Sequence, residues 1–169
     1  MLRTSLLFAV GFAVAACGQV PSQASGGRVT SRTAQQDAKL IAEAHDPERA
    51  TALLRIARIF NEDYERNKDG AVYGRWDAAS QSIISRATYL QRHRDCPNSS
   101  HVRVDTWGVT RGPGGAWLVH YSIDGQQFTD WWYYVRGRFV FDLPKSNPTA
   151  VALYRASPAQ YAKDTGCGK

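Results

Sequence analysis

Asp130 is the side chain in this sequence best placed to do chemistry. It stands in a stretch that alternates like a strand, among aromatic and apolar residues. A carboxylate in such surroundings loses solvation and its pKa rises, as a pocket acid or base requires. Trp117, Tyr121, Trp132 and Tyr134 are the candidate walls of that pocket. The plainer reading is an Asp at a sheet rim, or one satisfied by an Arg or a Trp N–H, since no His or second carboxylate shares its face. His120 belongs to the opposite face, beside Thr129. A catalytic histidine needs a nucleophile and an orienting carboxylate, and Asp105 and Asp142 are only loosely placed to help. His120, Trp131 and Tyr133 read instead as a candidate interface, because aromatics are enriched where proteins meet, or equally as a face covered by a terminal helix held through Cys167. Tyr89 and His93 lie one helical turn apart and read as packing against the sheet edge. No recognisable catalytic, cofactor or nucleotide motif is present. The catalytic set is therefore empty apart from Asp130, and no cofactor is expected.

The first residues carry an address. Arg3 supplies a positive start, and Leu6 to Ala16 form an unbroken apolar and small-residue run. Eleven residues are too few to span the ~30 Å hydrocarbon core of a bilayer, and they fit the apolar region of a secretory signal. Val14-Ala15-Ala16-Cys17 resembles the lipobox of bacterial prolipoproteins. That resemblance implies cleavage after Ala16 and lipid attachment at Cys17. Residues 18–32, rich in Gly, Ser, Gln and Thr, read as a flexible tether. The expected organisation is a signal peptide over residues 1–16, a lipidated cysteine with its tether over 17–32, and one domain over 33–169. The expected location is the outer face of a cell membrane, held there by the lipid.

With Cys17 assigned to the lipid, Cys96 and Cys167 remain as an even pair in an oxidising compartment. A disulfide between them would close a loop of about 70 residues. The competing reading is a metal site from His93, Cys96, His101 and Cys167, which their spacing permits although no CxxC is present. The chain carries 21 Lys and Arg against 15 Asp and Glu, a net charge of +6. Its basic residues form no run, and nucleic-acid binding wants a clustered basic face with stacking aromatics. Nucleic acid is therefore excluded as a partner, and the expected partners are the membrane and a protein or second copy on the sheet face.

The elements that must position these residues change period midway. Thr33 to Ala42 has the spacing of a short helix. Asp46-Pro47 starts a second one as N-cap and first helical residue. It carries Ala50, Leu53, Leu54, Ala57, Phe60 and Tyr64 at helical spacing and runs to about Asn67, with Asp69-Gly70 ending it. Val72, Tyr73 and Trp76 suggest a short helix, and Ser85 opens another that ends at Cys96-Pro97. Strands follow over 101–111, 116–123, 126–135 and 138–143. Asp124-Gly125 and Arg136-Gly137 are the tight turns between the last three. Asn147-Pro148 restarts a helix, and the segment near Tyr161 leads to Cys167. Helices followed by an antiparallel meander define an α+β fold.

Two-residue turns fix the pairing: Tyr121 with Phe128, Val119 with Asp130, Trp117 with Trp132, Tyr134 with Phe139, and Trp132 with Phe141. One face then holds Trp117, Val119, Tyr121, Ile123, Phe128, Asp130, Trp132, Tyr134, Phe139 and Phe141, and it must face the helices. In the first strand, one residue more or less in the Gly112–Gly115 loop would swap Trp107 and Val109 between faces. Rings of this size are expected to fill the interior, leaving at most a shallow pocket near Asp130. A closed cavity of about 300 Å³ with Asp130 and a second ionisable group would instead favour an enzyme.

Over residues 47–155 this order resembles the nuclear transport factor 2-like superfamily. The carriers are the long helix, the short Trp76 helix, and Ser85-Arg86-Ala87-Thr88-Tyr89 ahead of the strands. Phe141-Asp142-Leu143-Pro144-Lys145-Ser146-Asn147-Pro148 is similar to the tail of lipoproteins from high-GC bacteria. The resemblance implies a cone: helices on a curved antiparallel sheet with a C-terminal helical cover. Fold alone does not choose among the activities such domains host. The expectation is a non-catalytic binding or accessory module of the cell envelope; the alternative is an isomerase- or dehydratase-like enzyme using Asp130.

Overall fold

The computed structural model describes residues 46–98 and 103–167. The expected signal peptide, lipidated Cys17 and tether, the helix expected over 33–42, and His101 lie outside the described residues. The chain is α+β, with helices and one four-stranded antiparallel sheet in the order β1-β2-β3-β4.

Helix α1 (Pro47–Glu65) begins as its sequence dictates. Asp46 accepts the Arg49 N–H at 3.0 Å, and Pro47 occupies the first turn. Ala50, Leu53, Leu54, Ala57 and Phe60 form its buried stripe. Asn61 is also buried; it donates to Thr106 Oγ1 at 2.6 Å, and Arg58 Nε donates to the Thr106 carbonyl at 3.1 Å. Those two bonds hold the helix against the first strand. The helix stops because Asn67 turns left-handed, with φ 54°. Asp69-Gly70 does not end it, contrary to the sequence reading: Asp69 is the first residue of α2 (Asp69–Arg75).

After α2, Trp76 leaves the helical region and bridges to Phe141. A short helix that the sequence did not announce, α3 (Ala78–Gln81), is capped by Asp77. Its Ser80 is fully buried and accepts the Leu143 N–H at 2.9 Å. Helix α4 (Arg86–Asp95) starts where expected, with Ser85 accepting the Thr88 N–H at 3.1 Å.

The strands are β1 (Val104–Arg111), β2 (Trp117–Ile123), β3 (Gln126–Val135) and β4 (Arg138–Asp142). Each cross-strand pair read from the turns is present. Asp124-Gly125 and Arg136-Gly137 all have positive φ, as a type I′ turn demands. The open question in β1 has an answer neither register gave. The pairing shifts between Thr106 and Gly108, so a bulge places Trp107 and Val109 on opposite faces. Val109 pairs with Val119 in the core, while Trp107 stacks on His120 at 5.2 Å.

Beyond the sheet come α5 (Leu143–Ser146), α6 (Pro148–Arg155) and α7 (Pro158–Asp164). Asp142, Asn147 and Ser157 cap them in turn, each side chain accepting a backbone N–H three residues on. Cys167, just past α7, is joined to Cys96 at the end of α4, with Cα atoms 5.6 Å apart. Arg92 adds a second tie, donating to the carbonyls of Leu153, Tyr154 and Ala156 at 2.7–3.1 Å. The terminal helices therefore close against α4 rather than covering the outer face of the sheet. Among the described residues, no helix is long and apolar enough to cross a membrane.

Candidate functional site

The interior is not filled. A cavity of about 340 Å³ lies between the inner face of the sheet and the helices. Filling failed for a geometric reason. Trp117 and Trp132, expected on its wall, are 1% and 0% exposed in the core beside it, with Trp132 packed edge-on against Phe60 at 5.2 Å. Tyr134 is not a wall residue either. It is 42% exposed, and the Arg49 guanidinium sits 4.7 Å over its ring. Of the five candidate pocket residues, only Tyr121 and Asp130 line the cavity.

Asp130 reaches the wall because β3 turns it inward opposite Val119, and it is 5% exposed. It is not at a rim. Tyr121, on the neighbouring strand, donates its hydroxyl to Asp130 Oδ1 at 3.2 Å. Burial pushes the Asp130 carboxyl up to about 7, with the Tyr121 hydrogen bond pulling the other way. The Tyr121 phenol is held well above its usual range, first by burial and then by the facing Asp130. Tyr64, also on the wall, is pushed up to about 12, mainly by burial.

Helices complete the wall and bring a second polar system that sequence reading did not assemble. His93 and Tyr89 line the cavity rather than packing at a sheet edge, their rings 4.3 Å apart. His93 Nε2 lies 2.9 Å from the Tyr154 hydroxyl, and its Nδ1 lies 3.1 Å from Asp69 Oδ1. The Asp69 contact has ion-pair distance without the alignment of a full hydrogen bond. A carboxylate beside Nδ1 favours the proton there, which leaves Nε2 to accept from Tyr154. Burial raises the Tyr154 phenol well above its usual range. No local signal links these residues: Tyr154 is 61 positions from His93, and Asp69 sits in an Asp-Gly pair that reads as a turn. The mouth is marked by exposed wall residues, Asp124 and Gln126 at the β2–β3 turn and Pro148 and Thr149 at the start of α6.

The outer face holds the remaining candidates. His120 lies between the hydroxyls of Thr110 and Thr129, at 2.8 and 3.1 Å, and under the Trp107 ring. Asp142, a suggested helper for it, is committed to capping α5. Trp131 and Tyr133 are half-buried beneath Lys145, whose Nζ is 5.2 and 4.9 Å from the two ring centres. The thiols of the alternative metal set, Cys96 and Cys167, are joined to each other.

Acid–base exchange and recognition of a small ligand are the two things this cavity can do. Among the described residues, no cluster of three or more His, Cys, Asp or Glu could hold a metal. No protein-family model, curated protein or solved structure matches the chain.

Proposed function

We propose that this is an exported lipoprotein whose cone-like domain binds a small, largely apolar molecule in the cavity beside Asp130. The observation that carries the reading is the cavity itself. Its volume falls in the range of small-molecule sites, and its apolar wall has one buried carboxyl aimed into it. The element order from the long helix to the meander supports the cone, and the apolar leader ending at Cys17 supports the lipid anchor.

Ala150 lies on the wall near the mouth and is only partly buried, at the edge of the core, so a larger side chain there should block the cavity, with a retained cooperative melting transition showing that the variant is folded. A neutral naphthalene dye is expected to bind at one saturable site, and Ala150→Phe to weaken that binding at least about tenfold, the equivalent of 1.4 kcal/mol. Dye binding that is non-saturable, or unchanged in Ala150→Phe, would remove the cavity from the account. Anchoring is tested separately. Cys17→Ser should abolish fatty-acid labelling and move the protein out of the membrane fraction; labelling that persists contradicts it.

An isomerase- or dehydratase-like enzyme is the second reading, favoured by one observation. The cavity reaches the volume named above for an enzyme and carries Asp130, with its pKa near neutrality, together with His93. It differs in being open at the Asp124–Pro148 mouth. Both readings require a bound ligand, and the binding reading asks for nothing more. The enzymatic one also needs a donor for developing charge; the Tyr121 hydroxyl is engaged by Asp130 and that of Tyr154 by His93, which leaves the Tyr64 hydroxyl for that role.

A further inference from the structure

The charge on the cavity wall runs against the charge of the chain. Lys and Arg outnumber Asp and Glu by 21 to 15 overall, yet no Lys or Arg is among the described residues that line the cavity. Two carboxyl groups are: Asp130 in its wall and Asp124 at its mouth. The nearest basic candidate turns away. Arg92, one residue before His93, spends its guanidinium on the carbonyls of Leu153 and Ala156 and over the ring of Tyr161, whose side chain stands between it and the cavity wall. His93, the one titratable base on the wall, has its nitrogens beside Asp69 and the Tyr154 hydroxyl.

Aromatic side chains from every layer of the fold reach the wall. Phe60, Trp76, Tyr89, Tyr121, Phe128 and Phe141 come to it from α1, the α2–α3 link, α4 and three strands. Ring faces carry the negative end of a quadrupole and attract a cation, most strongly where water is excluded. An anion in this cavity would meet the Asp130 and Asp124 carboxyl groups and no Lys or Arg side chain among the described residues. A neutral molecule would use the rings and leave the buried carboxyl in its protonated form, whereas a cation would also gain an ion pair with it.

We propose that the cavity takes an organic monocation: a quaternary or protonated amine on a small apolar body, bearing no acidic group, with Asp130 as its counter-ion. This rests on the binding reading above and names its ligand class. Burial holds the Asp130 carboxyl near neutrality in the empty cavity, so an arriving cation draws it into the ionised form and releases a proton.

The test uses the Cys17→Ser chain at pH 8 and four probes: benzyltrimethylammonium, its uncharged carbon isostere neopentylbenzene, benzylsulfonate, and phosphocholine, whose phosphate dianion outweighs its quaternary ammonium at this pH. Benzyltrimethylammonium is expected to bind at least tenfold more tightly than neopentylbenzene, and the other two at least a hundredfold more weakly than the cation. In Asp130→Asn the preference for the cation over the isostere should fall about tenfold. Calorimetry at pH 7 in two buffers of different ionisation heat should show proton release on binding the cation. If neopentylbenzene binds as tightly as the cation, or benzylsulfonate or phosphocholine binds better, the cation assignment is overturned and the cavity reading stands. If no probe binds, both fall. The main comparison, among the four probes, needs no substitution in the cavity.

Discussion

Asp130→Asn is expected to gain on the parent protein by about 4 kcal/mol as pH rises from 4 to 8. The folded protein holds the Asp130 proton up to about pH 7, whereas the unfolded chain releases it near pH 4. Between those values the folded state binds more protons, so stability falls as pH rises. The contribution is fully present below about pH 4 and lost by about pH 7. Asparagine has the same shape, keeps an acceptor for the Tyr121 hydroxyl and does not titrate. Its buried amide N–H can set the two proteins apart by about 1–3 kcal/mol at any one pH, so the change in the gap between them is the quantity to follow. Other titrating groups act equally on both proteins and cancel. Urea denaturation of the two proteins across this range measures it. A gap that stays constant within 1 kcal/mol would mean that Asp130 is ionised and solvated in the folded protein, and would take it off the cavity wall.

Removing the Cys96–Cys167 bridge should have an effect of similar size. The bridge spans 71 positions, and closing a loop of that length is worth about 4 kcal/mol in the chain-entropy account. For a domain of this size the melting temperature should drop by on the order of 10–15 °C. The Cys96→Ala, Cys167→Ala double variant and the reduced parent should behave alike. The bridge also anchors the segment after α7 to α4, and Cys96, Tyr154 and Tyr161 all line the cavity, so dye binding should weaken in both. If both thiols alkylate freely in protein isolated without reductant, the bridge is absent. If the double variant melts within 2 °C of the parent, the bridge does not hold these helices.

Much of the fold is legible because its signals are local. Asp46-Pro47 and Asn147-Pro148 announce helices through a side-chain cap followed by a residue whose φ is already helical. Ser157-Pro158 carries the same signal for α7 and could have been read the same way. Asp124-Gly125 and Arg136-Gly137 fix the register of three strands, because a two-residue turn leaves no freedom in what faces what. Where two competing conformations were locally equal, the signal ran out. Asp69-Gly70 suits a helix end as well as a turn into a new helix, and the choice fell to Asn67 and to the pull of His93 on Asp69. The β1 bulge leaves no mark on the sequence, since Trp107 and Val109 are each content in a buried place.

The candidate site is half legible for the same reason. Tyr121 and Asp130 are diagonal neighbours on adjacent strands, a relation the turn determines. Asp69, His93 and Tyr154 meet only when α2, α4 and α6 have packed together. The cavity volume is less legible still. Summing ring sizes on one sheet face overlooked how many rings, Trp117 and Trp132 first, would pack sideways into the core and leave space around Asp130.

The most direct test of the cavity as the binding site is a crystal structure of the protein grown with a neutral naphthalene. The account expects one ligand inside the sheet–helix cavity, in contact with Tyr121 and Trp76 and with Asp130 at its edge. Ligand found on the outer sheet face around Trp131 and Tyr133, or an interior closed by inward-turned rings with no ligand in it, would contradict the account.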